Sequence, residues 1–526
     1  MWIRLRRATV CEVRIPRGAS DALCGKPRVP AANQVRRDGP YGTLSPNEEG
    51  GLVARARATY LSEREKDFLH EKTLEVLEKV GVAYNTPQAI DLLASAGAEV
   101  DRDALTAKLT WDIIEACLKT APKKVLLAGR RPEDDRVLGE WPLHTITDGI
   151  QTYVYDDLTG RRREGTAADL ETFVKLGDAL SEVDTIWPSP QASDIDPYML
   201  PVKFAELTIR NTSKHVQDEV REPDLVEPIL AMYEAAAGAP LTERPYFSVT
   251  NCTIAPLQHD AEMTEAHVLM ARAGCPIFVL PMPQMGTTGP MSVLGTSILN
   301  MAELLSAVVL FQLAAPGCAM VSAVGSAVAE MRSGLYLSGT PEDGLINLTC
   351  IEMSKFYGMR SQGSAVSCDA KACDLQAGAE GMLTGLATAL AGADVMLAFG
   401  LMDSAQTASL AKTVLDADTV SAIERFLRDD PVDEARALVD DIVAVGIGGH
   451  YLTRKSTRQF YRAGELWQPK LWHREPFERY VDNPLVKDAW EQAHALIEKS
   501  DVPPLPEDVQ RHVGTLIADY LRRRDR

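Results

Sequence analysis

The run Tyr246-Phe-Ser-Val-Thr-Asn251 opens the stretch that decides the fold. It is short, rich in β-formers and apolar on both faces, so it predicts a buried strand. A helix over Ala261 to Ala273 follows and stops at Gly274, and Ile277 to Met282 is the next strand. Two such strands joined through a helix form a parallel pair covered by helices. Working outward, the alternation continues. Leu294 to Leu313, Glu342 to Tyr357 and Leu375 to Leu390 predict helices, while Ala319 to Val324 and Val395 to Phe399 predict strands. Upstream, Val183 to Ile186 predicts a strand, and Asn211 to Val216 leads into another. A doubly wound sheet and a closed barrel both fit this pattern. The number of units, and the lack of G-x-G-x-x-G after the first strand, favour a (β/α)8 barrel.

The flanks differ in texture. Ser62 and Glu65 make a capping box, and Leu69, Val76, Leu77 and Val80 form one apolar helix face ended by Gly81. Thr86-Pro87 opens a second helix that closes near Gly97, and Trp111 to Lys119 is a third amphipathic run. These readings divide the chain into a basic extension (1–58), an N-terminal helical region (59–122), the barrel (123–480) and a C-terminal helical tail (481–526). The extension carries nine Arg/Lys against Glu12 and Asp21 between residues 1 and 37, a net of +7 in a chain whose total is −19. Its Arg-rich, Gly/Pro-broken composition predicts disorder. The remaining charge, −19 less +7, is −26, which argues against nucleic acid as a partner. Nine cysteines in 526 residues make no disulfide framework, and a reducing cytoplasm suits them. The longest apolar region, Met301 to Val328, carries Glu303 and Gln312 and is broken at Pro316-Gly317, so no membrane span is expected.

In a barrel, chemistry sits on the loops after the strand C-termini. That rule singles out Trp187-Pro-Ser189, the segment Lys214-His215, the turn Gly286 to Pro290, Glu330-Met-Arg332 with Tyr336, and Gln362 with Asp369. Each has a plainer reading: Trp187 as filler of the barrel mouth, His215 as a bonded core histidine, Gly286 to Pro290 as a turn. Cys368 and Cys373 are five apart, with no C-x-x-C or H-E-x-x-H, so no metal site is expected; zinc held by Cys350, Cys368, Cys373 and a distant His stands as the alternative.

A series of strings carries the reading further: Leu61-Ser-Glu-Arg-Glu65, Thr159-Gly-Arg161, Arg210-Asn-Thr-Ser-Lys-His-Val216, Glu330-Met-Arg-Ser-Gly334, Phe356-Tyr-Gly358, Asp374-Leu-Gln-Ala-Gly378 and Gly448-Gly-His-Tyr-Leu452. In their order and spacing the chain resembles the trimethylamine methyltransferase family, from about Leu61 to Tyr480. The archaeal members carry pyrrolysine in the barrel. Here the corresponding stretch, Gly358 to Gly363, holds only standard residues, so the chain resembles the branch that acts on quaternary amines such as glycine betaine.

That resemblance implies a methylated-amine substrate and a partner corrinoid protein that supplies the cobalamin, with no cofactor bound permanently to this chain and self-association common. A quaternary nitrogen leaves as a neutral amine, so the barrel need only orient one methyl group and hold a cation. Aromatic faces and carboxylates do that, which points to Trp187, Tyr336 and Glu330, with Lys214 and Arg332 for a betaine carboxylate. His215, Gln362 and Asp369 are the candidate catalytic polar groups. Trimethylamine as substrate, and a barrel that binds quaternary amines without turnover, are the rival expectations.

Overall fold

The computed structural model describes residues 53–54, 56–139, 143–149, 151–474, 476–479 and 485–524. Most of the basic extension, residues 1–52, therefore lies outside the described residues. Eight parallel strands close into a barrel: β1 His144–Thr147, β2 Thr185–Ile186, β3 His215–Asp218, β4 Phe247–Cys252, β5 Ile277–Leu280, β6 Met320–Ala323, β7 Arg360–Ser364 and β8 Val395–Phe399. Val249 pairs with Ile277 and Ser322 with Ser361, and the ring closes through Val395 against His144. Eight helices alternate with the strands: α4 Ala167–Ala179, α5 Leu200–Asn211, α6 Val226–Ala237, α7 Ala261–Arg272, α8 Val293–Ala314, α9 Pro341–Phe356, α10 Leu375–Ala391 and α11 Leu410–Leu427.

Local chemistry sets where these helices begin. Thr166, Asp260, Ser292, Thr340, Asp374 and Ser409 each cap a barrel helix by accepting a backbone N–H in its first turn. Such caps contribute about 1 kcal/mol apiece. On the outer faces of the strands, Val216, Phe247 and Val249 pack against the helices. On the inner faces Ile146, Phe278, Leu280, Val321, Ala323, Val395 and Leu397 form a separate cluster. The two-residue alternation of strands produces both.

Ahead of the barrel lie α1 Glu63–Lys79, α2 Pro87–Ser95 and α3 Trp111–Thr120. The Ser62–Glu65 capping box is present, and Pro87 stands in the first turn of its helix. This region also holds a three-stranded antiparallel sheet, with Thr106–Lys108 between Val82–Ala83 and Glu99–Asp101, which the helical reading omitted. Strands of two or three residues are too short to show a period. All three helices pack on α8. That explains why α8 is apolar on every side: it is the only helix among the described residues long and apolar enough to cross a membrane, yet it is buried almost throughout. Nearer the extension, Ala58 N–H donates to Leu390 O at 3.2 Å, and Glu352 accepts from the backbone of Tyr60 and Leu61. After the barrel, α15 Leu485–Lys499 packs on α11 and α4, and α16 Glu507–Arg524 on α6 and α5.

One end of the barrel is stoppered. A hairpin, Val125–Leu127 with Arg136–Leu138, adds Leu127 and Leu138 to the inner cluster. Its turn bonds the strand beginnings, through Ala128 N to Pro245 O (3.0 Å) and Arg130 N to Ser213 O (2.7 Å). The hairpin thus occupies the N-terminal face of the strands, and only the C-terminal face can be a mouth.

Candidate functional site

Trp187 stands at the mouth, one residue beyond β2. Its backbone is locked to β1: Thr147 Oγ accepts from Trp187 N and donates to Trp187 O, each at 2.8 Å. Gly149 lies against the indole so closely that a Cβ there would fall 1.9 Å from Trp187 Cδ1. The ring is 3% exposed and forms one wall of a cavity of about 380 Å³. Asp218 at the end of β3, and Glu219 and Arg221 just after it, line the same cavity, which runs behind the strands to Tyr233 of α6 and the outer-face Phe247. Tyr233 and Phe247 stack at 4.2 Å.

The electrostatics of this cavity are anionic. Asp218 lines the cavity, and burial pushes its carboxyl up to about 7 despite the N–H of Glu219 and a hydrogen bond from the Trp187 indole. Glu219 accepts from the Cys252 thiol at 2.9 Å and pairs with Arg221 at 2.9 Å. Burial and Glu219 together hold the Cys252 thiol well above its usual range. Across the mouth, Tyr336 is half-buried and donates to Gly325 O at 3.3 Å. Burial raises its hydroxyl, and Asp343, Asp148, Asp369 and Cys252 act in the same sense. Asp343 is buried at the first turn of α9 and held far above a normal carboxyl; Asn347 donates to its Oδ1, while its Oδ2 has no partner.

The expected site residues do not all meet. Trp187 and Tyr336 reach the mouth. Glu330 and Arg332 belong to the turn of the hairpin Ala327–Ala329/Tyr336–Leu337, where Arg332 is exposed and its N–H is held by Glu330 Oε1 at 3.0 Å. Arg332 does not line the cavity; Arg221 does. Lys214 and His215 stand at the opposite, N-terminal end. Lys214 donates to Gly177 O and Leu180 O, the last carbonyls of α4, and burial pushes its ammonium down to about 8. His215 is fully buried between Ala128 O (3.0 Å) and Ser248 Oγ (2.8 Å), and burial pushes it down to about 4. It is a neutral residue tying the stopper hairpin to β4. The segment leads into β3, so Lys214 and His215 stand at the beginning of that strand, away from the loops that follow the strand C-termini.

Gln362, expected on a loop, lies inside β7. A Cβ on Gly363 would meet α9 and α10, so Gln362 alternates to the inner face, where neither amide atom has a partner. Gln217, on the inner face of β3, donates to Thr250 Oγ1 at 2.7 Å and leaves its Oε1 unpaired. Asp369 is occupied: it accepts from Ser338 N (2.8 Å), Gly339 N and Ser404 Oγ (2.9 Å). It positions the loop beyond Tyr336. Residues that sequence reasoning missed are Asp148, Gly149, Asp218, Glu219 and Cys252. All lie at or just past strand C-termini, where the barrel rule would have found them given the strand ends. Among the described residues no three His, Cys, Asp or Glu side chains cluster as a metal would need. Cys368 is buried and donates to Leu401 O, while Cys373 faces Asp157 and Ser409.

Comparison with known proteins agrees with this architecture. The family described as trimethylamine methyltransferase matches residues 45–526. A trimethylamine methyltransferase of Desulfitobacterium hafniense is 30% identical over 463 residues, 87% of this chain and 93% of that one. A glycine betaine methyltransferase of the same species is 28% identical, covering 83% and 90%. A trimethylamine methyltransferase of Methanosarcina barkeri is 28% identical, covering 85% and 92%.

Proposed function

The chain belongs to the trimethylamine methyltransferase family, and from that premise we propose that it moves a methyl group from a quaternary amine of the glycine betaine type to the corrinoid of a partner protein. The observation that carries this reading is one cavity at the C-terminal end of the barrel, between β3 and helices α5 and α6, that joins the Trp187 indole, the Asp218 and Glu219 carboxylates and the Arg221 guanidinium. A quaternary ammonium donates no strong hydrogen bond, so π-faces and carboxylates must recognise it. Trp187 and Asp218 hold the cation, and Arg221 takes the substrate carboxylate in competition with Glu219.

The acceptor, cobalt(I) of the corrinoid, supplies the nucleophile, and the electrons of the broken C–N bond return to nitrogen as a neutral tertiary amine departs. No general acid is therefore required. The chain's own work is to orient one methyl group outward, exclude water and stabilise the positive charge until it is lost. Seven free cysteines among the described residues support a reducing, cytoplasmic setting.

Asp218 favours a second substrate as well. Trimethylamine is a tertiary amine, so its nitrogen must carry a proton while the C–N bond breaks if dimethylamine is to leave neutral, and a carboxyl near 7 can supply or hold that proton. The test is a spectrophotometric assay with cobalt(I) corrinoid, its partner protein and a panel of methylated amines. Turnover confined to quaternary amines supports the first reading, and turnover confined to trimethylamine the second. Betaine binding measured by calorimetry, without turnover of any amine, would instead make the chain a binding barrel.

A further inference from the structure

Between α11 and the C-terminal helices the chain forms an arm that packs poorly on itself. It holds α12 Glu434–Ala437, α13 Val439–Val445 and α14 Lys455–Arg462, and none of the three buries a single residue. Yet α13 reads Val-Asp-Asp-Ile-Val-Ala-Val. An isolated seven-residue helix is not stable in water, and an apolar one still less. Val443 is 74% exposed, Leu452 82% and Ile447 fully exposed, with Val439, Ile442 and Tyr461 each more than half exposed. A standard interface takes about 800 Å² from each partner, and these six side chains present on the order of that area. Patches of this size mark association rather than ordinary surface.

The charge along the arm says what covers it. Its first part is acidic, with Asp433, Glu434, Asp440 and Asp441; its second is basic, with Arg454, Lys455, Arg458 and Arg462 and no acid from Ile442 to Gly464. Asp441 is already paired with Arg454 and Arg436 with Glu465. Glu434 and Asp440 on one side, and Lys455, Arg458 and Arg462 on the other, form no ion pair among the described residues. The Asp441–Arg454 pair sets the acidic and basic segments side by side, and a two-fold rotation lays the unpaired acids of one copy on the unpaired bases of the other. Topology points the same way. Helix α11 returns from the mouth, so the arm leaves it at the stoppered end, where Lys470 pairs with Glu182 just before β2. A partner that must reach the mouth does not need this surface.

We propose that residues 432–462 form the interface between two copies of this chain, related by a two-fold axis that leaves both mouths free. The test is the mass of the full chain in solution, by light scattering or sedimentation at micromolar concentration. The wild type is expected to be a dimer, and Val443→Asp with Ile447→Asp a monomer with an unchanged melting curve. Should that variant fail to fold, a charge swap decides. Glu434→Lys with Asp440→Lys, and separately Arg458→Glu with Arg462→Glu, should each weaken self-association at least tenfold, and an equimolar mixture should restore a dimer. A monomeric wild type, a dimer indifferent to the arm variants, or a mixture that stays monomeric overturns the proposal. The first of these would give the surface to a different protein.

Discussion

Replacing Gly149 by alanine adds one methyl group where none fits. The new Cβ would stand 1.9 Å from Cδ1 and 2.1 Å from Nε1 of Trp187. Carbon atoms in contact rest about 3.5–4.0 Å apart, so the indole must retreat by roughly 1.5 Å or more. Its backbone cannot follow, because Thr147 holds both its N–H and its carbonyl at 2.8 Å. Overpacking of this kind costs about 1–3 kcal/mol of stability. The functional cost is separate. A desolvated cation–π contact is worth about 2 kcal/mol, and a displaced ring forfeits much of it. At about 1.4 kcal/mol per tenfold, KM for glycine betaine should rise roughly 10- to 30-fold while kcat changes less. The assay is initial-rate loss of cobalt(I) absorbance at varied betaine, with melting curves taken alongside. The neutral carbon isostere 3,3-dimethylbutyrate serves as a competitive inhibitor of the same shape, and its inhibition constant should move much less. Trp187→Leu should reproduce both effects. An unchanged KM in Gly149→Ala, with the melting curve shifted as overpacking requires, would show that the indole does not face the cation and would refute the reasoning.

Other consequences are as direct. Burial holds Asp218 near 7, so its charged fraction grows from pH 6 to 8; KM for a permanent cation should fall across that window, and Asp218→Asn should flatten the profile. The same raised carboxyl stabilises the fold fully below its ordinary 3.8, and that contribution is lost as pH climbs through about 7; Asp218→Asn should therefore melt higher than wild type at pH 8. His215→Ala leaves Ala128 O and Ser248 Oγ unpaired at the stoppered end, so it should cost about 1–3 kcal/mol per lost bond and leave kcat within about twofold; a large drop in kcat would return His215 to the chemistry. Lys412 and Asp416 form a buried pair at 2.5 Å that also holds Val366 O and Gly400 N, beyond β7 and beside β8. Lys412→Met should lose about 3–5 kcal/mol, and Lys412→Met with Asp416→Leu should recover much of it, both read by denaturant unfolding.

Much of the architecture was legible along the chain because its signals are local. The apolar runs Ile277 to Met282 and Val395 to Phe399 lie on β5 and β8, and the capping box at Ser62 needs only four consecutive residues. Strand–helix alternation in that number admits few closures, so the barrel followed from counting units. The hairpin that stoppers the barrel was not legible: its strands are three residues long, and its partners, Ser213 and Pro245, lie 83 and 117 positions from Arg130 and Ala128.

The site divides the same way. Sequence alone selected Trp187 and Tyr336, because a large aromatic just past a strand end is conspicuous in any barrel. It also selected His215 and Lys214, although that segment leads into a strand rather than out of one and so stands at the closed end. Only the closed barrel decides which end is open. It sets Gly149 under the indole, turns Asp218 and Glu219 into one cavity with Trp187, and brings Tyr336 across from them. Burial then does what no spacing can encode: it lifts Asp218 toward neutrality and drives His215 the other way, because desolvation depends on what surrounds a group in space rather than on what precedes it in the chain.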